Sequence, residues 1–584
     1  MTKTVTLREV AHSRSGEKGN SCMVSVIAYD PADYALLAAQ VTVDAVRQLY
    51  GPIAKGDIRR YEVPRIGALN FVLDEVLEGG RSRTLAFEES GKALSSLMLT
   101  MPIDVPADYV GRSARPQIWP VSSVAAKPDG TAAEKRIRMG AATAWSRDRF
   151  EPAAELVEKG RIQYLCFESM SEVTMSAAQV AQLDSNAVAA YDPYLVDRLR
   201  PVLKACRAQG IRIISNQGWL DPDAAARKIK EVAAELGLGD LKVASVSGGI
   251  LTDRIADLGL RFTETGEPIS AARDRIVSAE AYLGAEGIVQ ALRDGADVVV
   301  TTRIADACLY LGPLAFEFGW SFDDCQKMAR GMIIGHLMEC GSQLVGGYFA
   351  DPGYKDVPAL ERVGNPIVEV TEDSIVLSKQ ADSGGLLTPA TCKEQLLYEV
   401  ADPAHYMGPD CVTNFGCVDF EQTAKDEVRV IIHGDAGQPR PPTLKALVGL
   451  REGFMTEEMV IFAGPDALKR AQMTQQLLES RFRTVQLVAE EIRFDYLGVN
   501  AVHREASPPL QYEPYEVILR VAIKTQNRAE ADKLRKEIDP LAVNGVYGTG
   551  KWATSASGSR VRSVIGLSSC LVSREAVQTT VTLY

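Results

Sequence analysis

At 584 residues the chain is too long for one simple core, so two or more domains are expected. Its 64 basic and 76 acidic residues leave a net charge of −12, which argues against the basic surface that nucleic acid requires. No apolar run approaches the roughly 18 residues of a membrane span, the first residues lack a signal peptide's apolar stretch, and ten scattered cysteines without CxxC pairs indicate neither a disulfide framework nor a zinc ribbon. A reduced, soluble, cytoplasmic protein is expected.

Residues 4 to 105 read as a first unit. Val5 to Val10 and Cys22 to Ala28 suit strands, with the polar stretch from Ser13 to Asn20 as a tight loop between them. Apolar residues at helical spacing (Leu36, Leu37, Val41, Val43, Val46, Leu49) predict a helix over 31–49 that Gly51-Pro52 ends. Strands at 57–63 and 92–101 flank a helix at 69–77, an order that suits a small α+β domain over 1–105. Residues 106–134 mix Pro, Ser, Ala and Gly without periodicity and read as a linker.

From Ile137 the pattern changes to strand-loop-helix units. Strands at 137–142, 162–167, 211–215, 241–246 and 297–300 alternate with helices at 149–159, from near Met175, and at 194–209, 221–236 and 285–294. Parallel strands joined by helical crossovers are the economical reading, so an α/β domain with a mainly parallel sheet is expected over 135–584. Further on, strands at 366–370 and 375–377 precede a helix at 391–400. A hairpin is expected over 428–450, then a helix at 466–480, strands at 485–493 and 517–523, and a helix at 528–538.

Several stretches match a known family: SEVTMS (171–176), SNQGWLDPD (215–223), AEAYLGAEGIVQAL (279–292), RIAD (303–306), HLMECGSQLVGGYFADPGYKDVP (336–358), GGLLTPATCKEQLLYE (384–399) and PRPPTLK (439–445). With these, residues from Ile137 onward resemble the acyclic terpene utilisation (AtuA) family. HSRSGEKGN (12–20) makes residues 4 to 105 similar to the ferredoxin-like domain that accompanies it. The small domain precedes the large one here, the reverse of the order usual in that family. The resemblance implies a place in a degradation pathway that runs through acyl-CoA esters. It supplies no catalytic step.

Candidate site residues lie where open α/β sheets bind ligands, at the carboxyl ends of strands. Arg303 could hold a carboxylate in a two-pronged fork, and Asp306, three residues on, could orient it or act as a base; a structural Arg–Asp pair is the competing reading. His336-x-x-Glu339 would share one helix face, as a base with its orienting partner or as a helix face with a satisfied histidine. With five histidines in the chain and no second cluster, no metal is implied. Cys340 is read as an inert buried thiol before a nucleophile. Glu172, after the strand at 162–167, is the preferred acid/base group, against helix capping by Ser171 or Glu172. Asn216 and Gly218 share that edge. Backbone amides at Ser383, Gly384 and Gly385 could receive an anion. Lys551 closes a G-x-x-x-x-G-K match in which Trp552 replaces the Ser/Thr that magnesium needs, so it is read as an anion-holding lysine or a plain turn. Ser15, Lys18 and Asn20 could cap the large domain's cleft or bind a partner, with a structural turn as the competing and favoured reading.

These residues suit a catabolic enzyme acting on a carboxylate-bearing or acyl-CoA-linked small molecule, in a hydratase, dehydratase or lyase step. Arg, Glu and Asp can anchor an anion and move protons, and no motif implies an organic cofactor. The alternative is a non-catalytic binding or scaffolding protein of the same pathway. An anionic small molecule and further copies of the chain are the expected partners, with neither nucleic acid nor membrane.

Overall fold

The computed structural model describes residues 1–115, 135–172, 174–175, 178–179, 190–551 and 561–584, Lys551 by its backbone alone. The end of the 106–134 stretch, from 116 onward, and most of the helix expected from near Met175 lie outside the described residues.

The N-terminal unit has six strands: β1 (Thr2–Thr6), β2 (Ala11–Lys18), β3 (Ser21–Ala28), β4 (Ile58–Val63), β5 (Ala68–Leu73) and β6 (Pro102–Pro106). Four form an antiparallel sheet in the order β2-β3-β5-β4, while β1 pairs with β6. Three expectations are corrected. The stretch from Ser13 to Asn20 is mostly strand β2, which hairpins into β3 at Gly19 (φ 61°), and not a loop. Residues 69–77 begin as strand β5, not a helix. Its continuous apolar run fits either element by periodicity, and it becomes a strand because both of its faces are buried. The stretch at 92–101 holds a short helix, Leu94–Met98, against strands β2 and β3. One sheet face packs on the domain's own helices. Ile27, Val63, Ile66 and Ala68 instead join the core of the large domain.

That second core surrounds a ten-stranded sheet. Strands β7 (Ile137–Thr143), β8 (Tyr164–Phe167), β9 (Arg212–Ser215) and β10 (Val243–Ser247) come first in the chain. Then β11 (Ile276–Ala281) leaves for another sheet before β12 (Val298–Thr301) returns. In space β7, β8, β9, β12 and β10 lie side by side and run parallel. Helices Glu151–Lys159, Leu203–Gln209 and Pro222–Glu235 cover one face; Glu286–Arg293, Cys308–Phe318 and Cys325–Met338 cover the other. The helix expected over 194–209 is broken between Leu199 and Leu203, where Pro201 lacks the amide a helix interior needs.

Next come β13 (Pro366–Val370), β14 (Ile375–Lys379), the two-residue strands β15 (Tyr406–Met407) and β16 (Val412–Thr413), β17 (Val418–Ala424), β18 (Glu427–Ile432) and the short β19 (Gly437–Gln438). β13, β14, β18 and β17 extend the large sheet antiparallel at one edge. The hairpin expected over 428–450 is therefore corrected: β18 pairs with β14 and β17, while β20 (Thr443–Ala463) belongs to a different sheet. β20 pairs with β11, with β22 (Glu516–Thr525) and with β24 (Arg562–Ser573). β21 (Glu491–Leu497) lies outside β22, so the strand expected at 485–493 starts later. β23 (Gly550–Lys551) touches β20 near its end, and β25 (Thr580–Leu583) closes the large sheet beside β10.

The two units meet through buried polar contacts. His12 Nδ1 lies 2.6 Å from Glu394 Oε1, to which Lys355 Nζ donates at 2.7 Å, all three side chains being buried. Asn70 donates to the carbonyls of Val400 and Ala401. A side chain at Gly16 would place Cβ 2.6 Å from the Tyr398 ring and 2.7 Å from Glu399 Cγ, so only glycine lets β2 approach this closely.

Candidate functional site

Because the central strands are parallel, their carboxyl ends share one edge. Glu168 and Ser169 follow β8, Asn216 follows β9, and Thr302, Arg303 and Asp306 follow β12. Asn216, fully buried, accepts from the Ser169 amide at 2.7 Å and donates to Glu168 Oε1 at 3.3 Å. It holds Glu168 in place. Gly218 donates its N–H to the Thr301 carbonyl at 3.1 Å, and a Cβ there would meet that oxygen at 2.6 Å, so its part is structural.

Arg303 gives both terminal nitrogens to Asp306, at 3.0 and 3.3 Å, and lies 4.2 Å from the centroid of the Tyr282 ring. The fork expected to grip a substrate carboxylate is thus filled by the protein's own aspartate. Burial pushes the Asp306 carboxyl above its ordinary range; Arg303 offsets this in part and Glu339 adds to it. Glu168 is raised further, first by burial and then by the Asp306 charge. Two carboxyls facing one guanidinium cannot both ionise cheaply, so they hold at least one proton between them.

Glu172 lies on the same edge. Lys445 Nζ donates to it at 3.0 Å and the Tyr282 hydroxyl at 3.4 Å. Burial alone would raise this carboxyl, but Lys445 and Lys18 outweigh it and hold it at about 2. That makes it a permanent anion and a poor proton carrier. Lys18, from the small domain, donates to Glu399 at 2.8 Å.

A cavity of about 910 Å³ opens between the β2–β3 turn, Gly79 to Ser82 and strand β24, and Glu172, Lys445 and Leu447 also line it. Deep as they lie, Asp306, Glu172, Lys445 and Lys18 keep 25, 23, 38 and 45% of their side-chain surface open. Glu172, Lys445 and Lys18 therefore face the cavity and not a dry core.

The remaining candidates lie apart or serve the fold. His336 is buried, stacks on Phe415 at 4.8 Å, and its Nε2 faces the Leu396 carbonyl at 3.1 Å. That acceptor requires the ring proton on Nε2 and leaves Nδ1 facing Glu339 Oε1, 3.0 Å away. Among the described residues the pair gains no third metal-binding side chain. Burial raises the Cys340 thiol, so it is no activated nucleophile. The amides of Ser383, Gly384 and Gly385 bond the carbonyls of Gln380, Arg362 and Pro358, which corrects their reading as an anion cradle. The reading of Lys551 as an anion-holding side chain lies outside the described residues. The Lys551 backbone pairs with Val460, fifteen residues along β20 from Lys445, far from the strand ends.

Three participants were not singled out from sequence. Glu168 directly follows a predicted strand, and Lys445 sits at the start of β20 in the PRPPTLK stretch. Glu280 is a lone charge in the alternation of β11. It is 1% exposed, both of its carboxyl oxygens lack a partner among the described residues, and burial raises it to about 8 against the pull of Arg303. A carboxyl whose folded pKa exceeds its unfolded value of 4.5 destabilises the fold increasingly as pH rises from about 4.5 to about 8, because only the unfolded chain releases the proton. Glu280→Gln, isosteric with the protonated form, is expected to raise stability by about 3 kcal/mol at pH 7 and to flatten that slope. Urea unfolding at pH 5 and pH 7.5 tests this; equal gains at both pH values would refute it.

A mixed sheet with a parallel centre, capped at the ends of its central strands by an N-terminal α+β domain across a charged crevice, defines a two-domain α/β protein with a cavity between its domains. The chain belongs to the acyclic terpene utilisation family AtuA, whose family model matches residues 137–583, and the AtuA ferredoxin-like domain matches residues 5–104. No curated protein and no solved structure matches it. Among the described residues no helix is long and apolar enough to cross a membrane.

Proposed function

We propose that the chain is a catabolic enzyme that moves protons on a carboxylate-bearing or acyl-linked small molecule, in a hydratase, dehydratase or related lyase step. The observation that carries this reading is the Glu168–Arg303–Asp306 group at the strand ends, where burial raises two carboxyls beside one guanidinium, Asp306 to about 6 and Glu168 well above its ordinary range. In the dehydration direction, ionised Asp306 takes the proton from the carbon next to the substrate carbonyl. The electron pair forms the double bond, the carbon–oxygen bond at the next carbon breaks, and protonated Glu168 supplies the proton that turns the departing hydroxide into water. Hydration is the reverse. Membership of a terpene-utilisation family supports a degradative role.

The test is proton exchange in D₂O with a panel of 3-hydroxy and 2-enoic acids and their thioesters, followed by NMR at the carbon beside the carbonyl. Deuterium uptake with water loss or gain from one compound is expected. If no compound exchanges, yet some raise the unfolding temperature, the chain is a binding or scaffolding protein instead.

A further inference from the structure

Lys18 and Lys445 come from different domains, yet both act on Glu172, and Lys18 weakens the hold of Lys445 on its proton. Each gives one of its three N–H donors to a carboxylate, Glu399 and Glu172 respectively. Their side chains are 45 and 38% open, and both line the cavity between the domains. The remaining donors thus face the same solvent-filled space. Arg303, the other cation near the strand ends, is closed to an incoming anion because Asp306 occupies its fork.

We propose that Lys18 and Lys445 form an oxyanion subsite shared between the two domains, which binds the carboxylate or phosphoryl group of the ligand and makes the N-terminal domain an integral wall of the site. This rests on the reading that the cavity is the place of ligand binding. The position of Lys18 is set by its strand and not by a loose loop. Upstream on β2, His12 is locked into the Glu394–Lys355 contact, and the Arg14 guanidinium lies 3.8 Å over the Tyr398 ring. Gly16 brings the backbone against Tyr398 and Glu399. Such a strand cannot swing away as a lid without opening the buried polar contacts that hold it. A ligand held in the cavity that Gly79 to Ser82 and β24 also line therefore meets the two ammonium groups with β2 in place. Two such groups bind an oxyanion as point charges, without a two-pronged geometry, so carboxylate and phosphate are both suited to them.

The test measures binding of malonate and, separately, inorganic phosphate to the full-length protein by isothermal titration calorimetry. Lys18→Met, Lys18→Arg and Lys445→Met are compared with the parent. The parent is expected to bind at least one anion, and whichever is preferred identifies the group the subsite takes. Either methionine variant should weaken that binding about tenfold or more, while Lys18→Arg keeps most of it. The unfolding midpoint of ligand-free Lys18→Met should stay close to that of the parent. The proposal is overturned if the parent binds neither anion, or if Lys18→Met binds as tightly as the parent. Loss in Lys445→Met alone would place the anion on the large domain only, and likewise overturns the shared subsite. Failure of the enzymatic reading shows separately, as absent proton exchange alongside intact anion binding.

Discussion

Asp306→Asn is expected to lower turnover by about 10²- to 10⁴-fold, the range a positioned proton carrier contributes. Asparagine keeps the shape and one hydrogen bond toward Arg303 but cannot accept a proton. The fold should survive, because the same guanidinium faces Glu168, whose carboxyl is raised in part by the Asp306 charge. With that charge gone, the pull of Arg303 on Glu168 is less opposed, and the guanidinium keeps a carboxyl beside it. The signature is a split result. Activity falls while the urea midpoint moves little, and the limb of the pH–rate profile that reports the base disappears. A variant as active as the parent would remove Asp306 from the chemistry. A variant that unfolds would make it purely structural, and Glu168→Gln then tests the other member of the pair.

Glu394→Ala is expected to cost about 3–5 kcal/mol, because it leaves the buried Lys355 ammonium without its carboxylate and His12 without its acceptor. Glu394→Ala combined with Lys355→Met should recover part of that loss, since the uncompensated charge goes with the lysine. The same contact makes stability depend on pH. Burial lowers His12 from 6.5 to about 4, although Glu394 pulls the other way. Burial would raise Glu394, but Lys355 and then His12 outweigh it and lower it. For both groups the unfolded chain takes up protons before the folded one does, so each contribution is present at neutral pH and is lost as pH falls. The His12 part should disappear between about 6.5 and about 4 and amount to about 3 kcal/mol. Urea midpoints at pH 7.5 and 4.5 measure it; His12→Asn should flatten the slope, and an unchanged slope would rule His12 out.

The strand-helix rhythm of the large domain could be read from residue order because each unit is local. Apolar strands such as VVVT (298–301) and amphipathic helices such as Pro222–Glu235 carry their own periodicity, and parallel pairing follows from their alternation. The carboxyl-edge residues Arg303, Asp306 and Asn216 followed from the same logic. The small domain was harder. β5 is buried on both faces and so shows no alternation, and Leu94–Met98 is too short to display a helical stripe.

Composition and local pattern determined the α/β class, the place of the sheet's carboxyl edge and the resemblance to the AtuA family. Those properties depend on neighbouring residues or on the whole count of residue types. Tertiary structure alone decided which charges meet. Asp306 fills the fork of Arg303, Lys445 reaches Glu172 from a strand 273 residues on, and Lys18 arrives from the other domain. It also decided which carboxyls are proton carriers, because burial and facing charges set a pKa and neither is written in the order of residues: Glu172 is held ionised by two lysines, while burial raises Glu168 and Glu280.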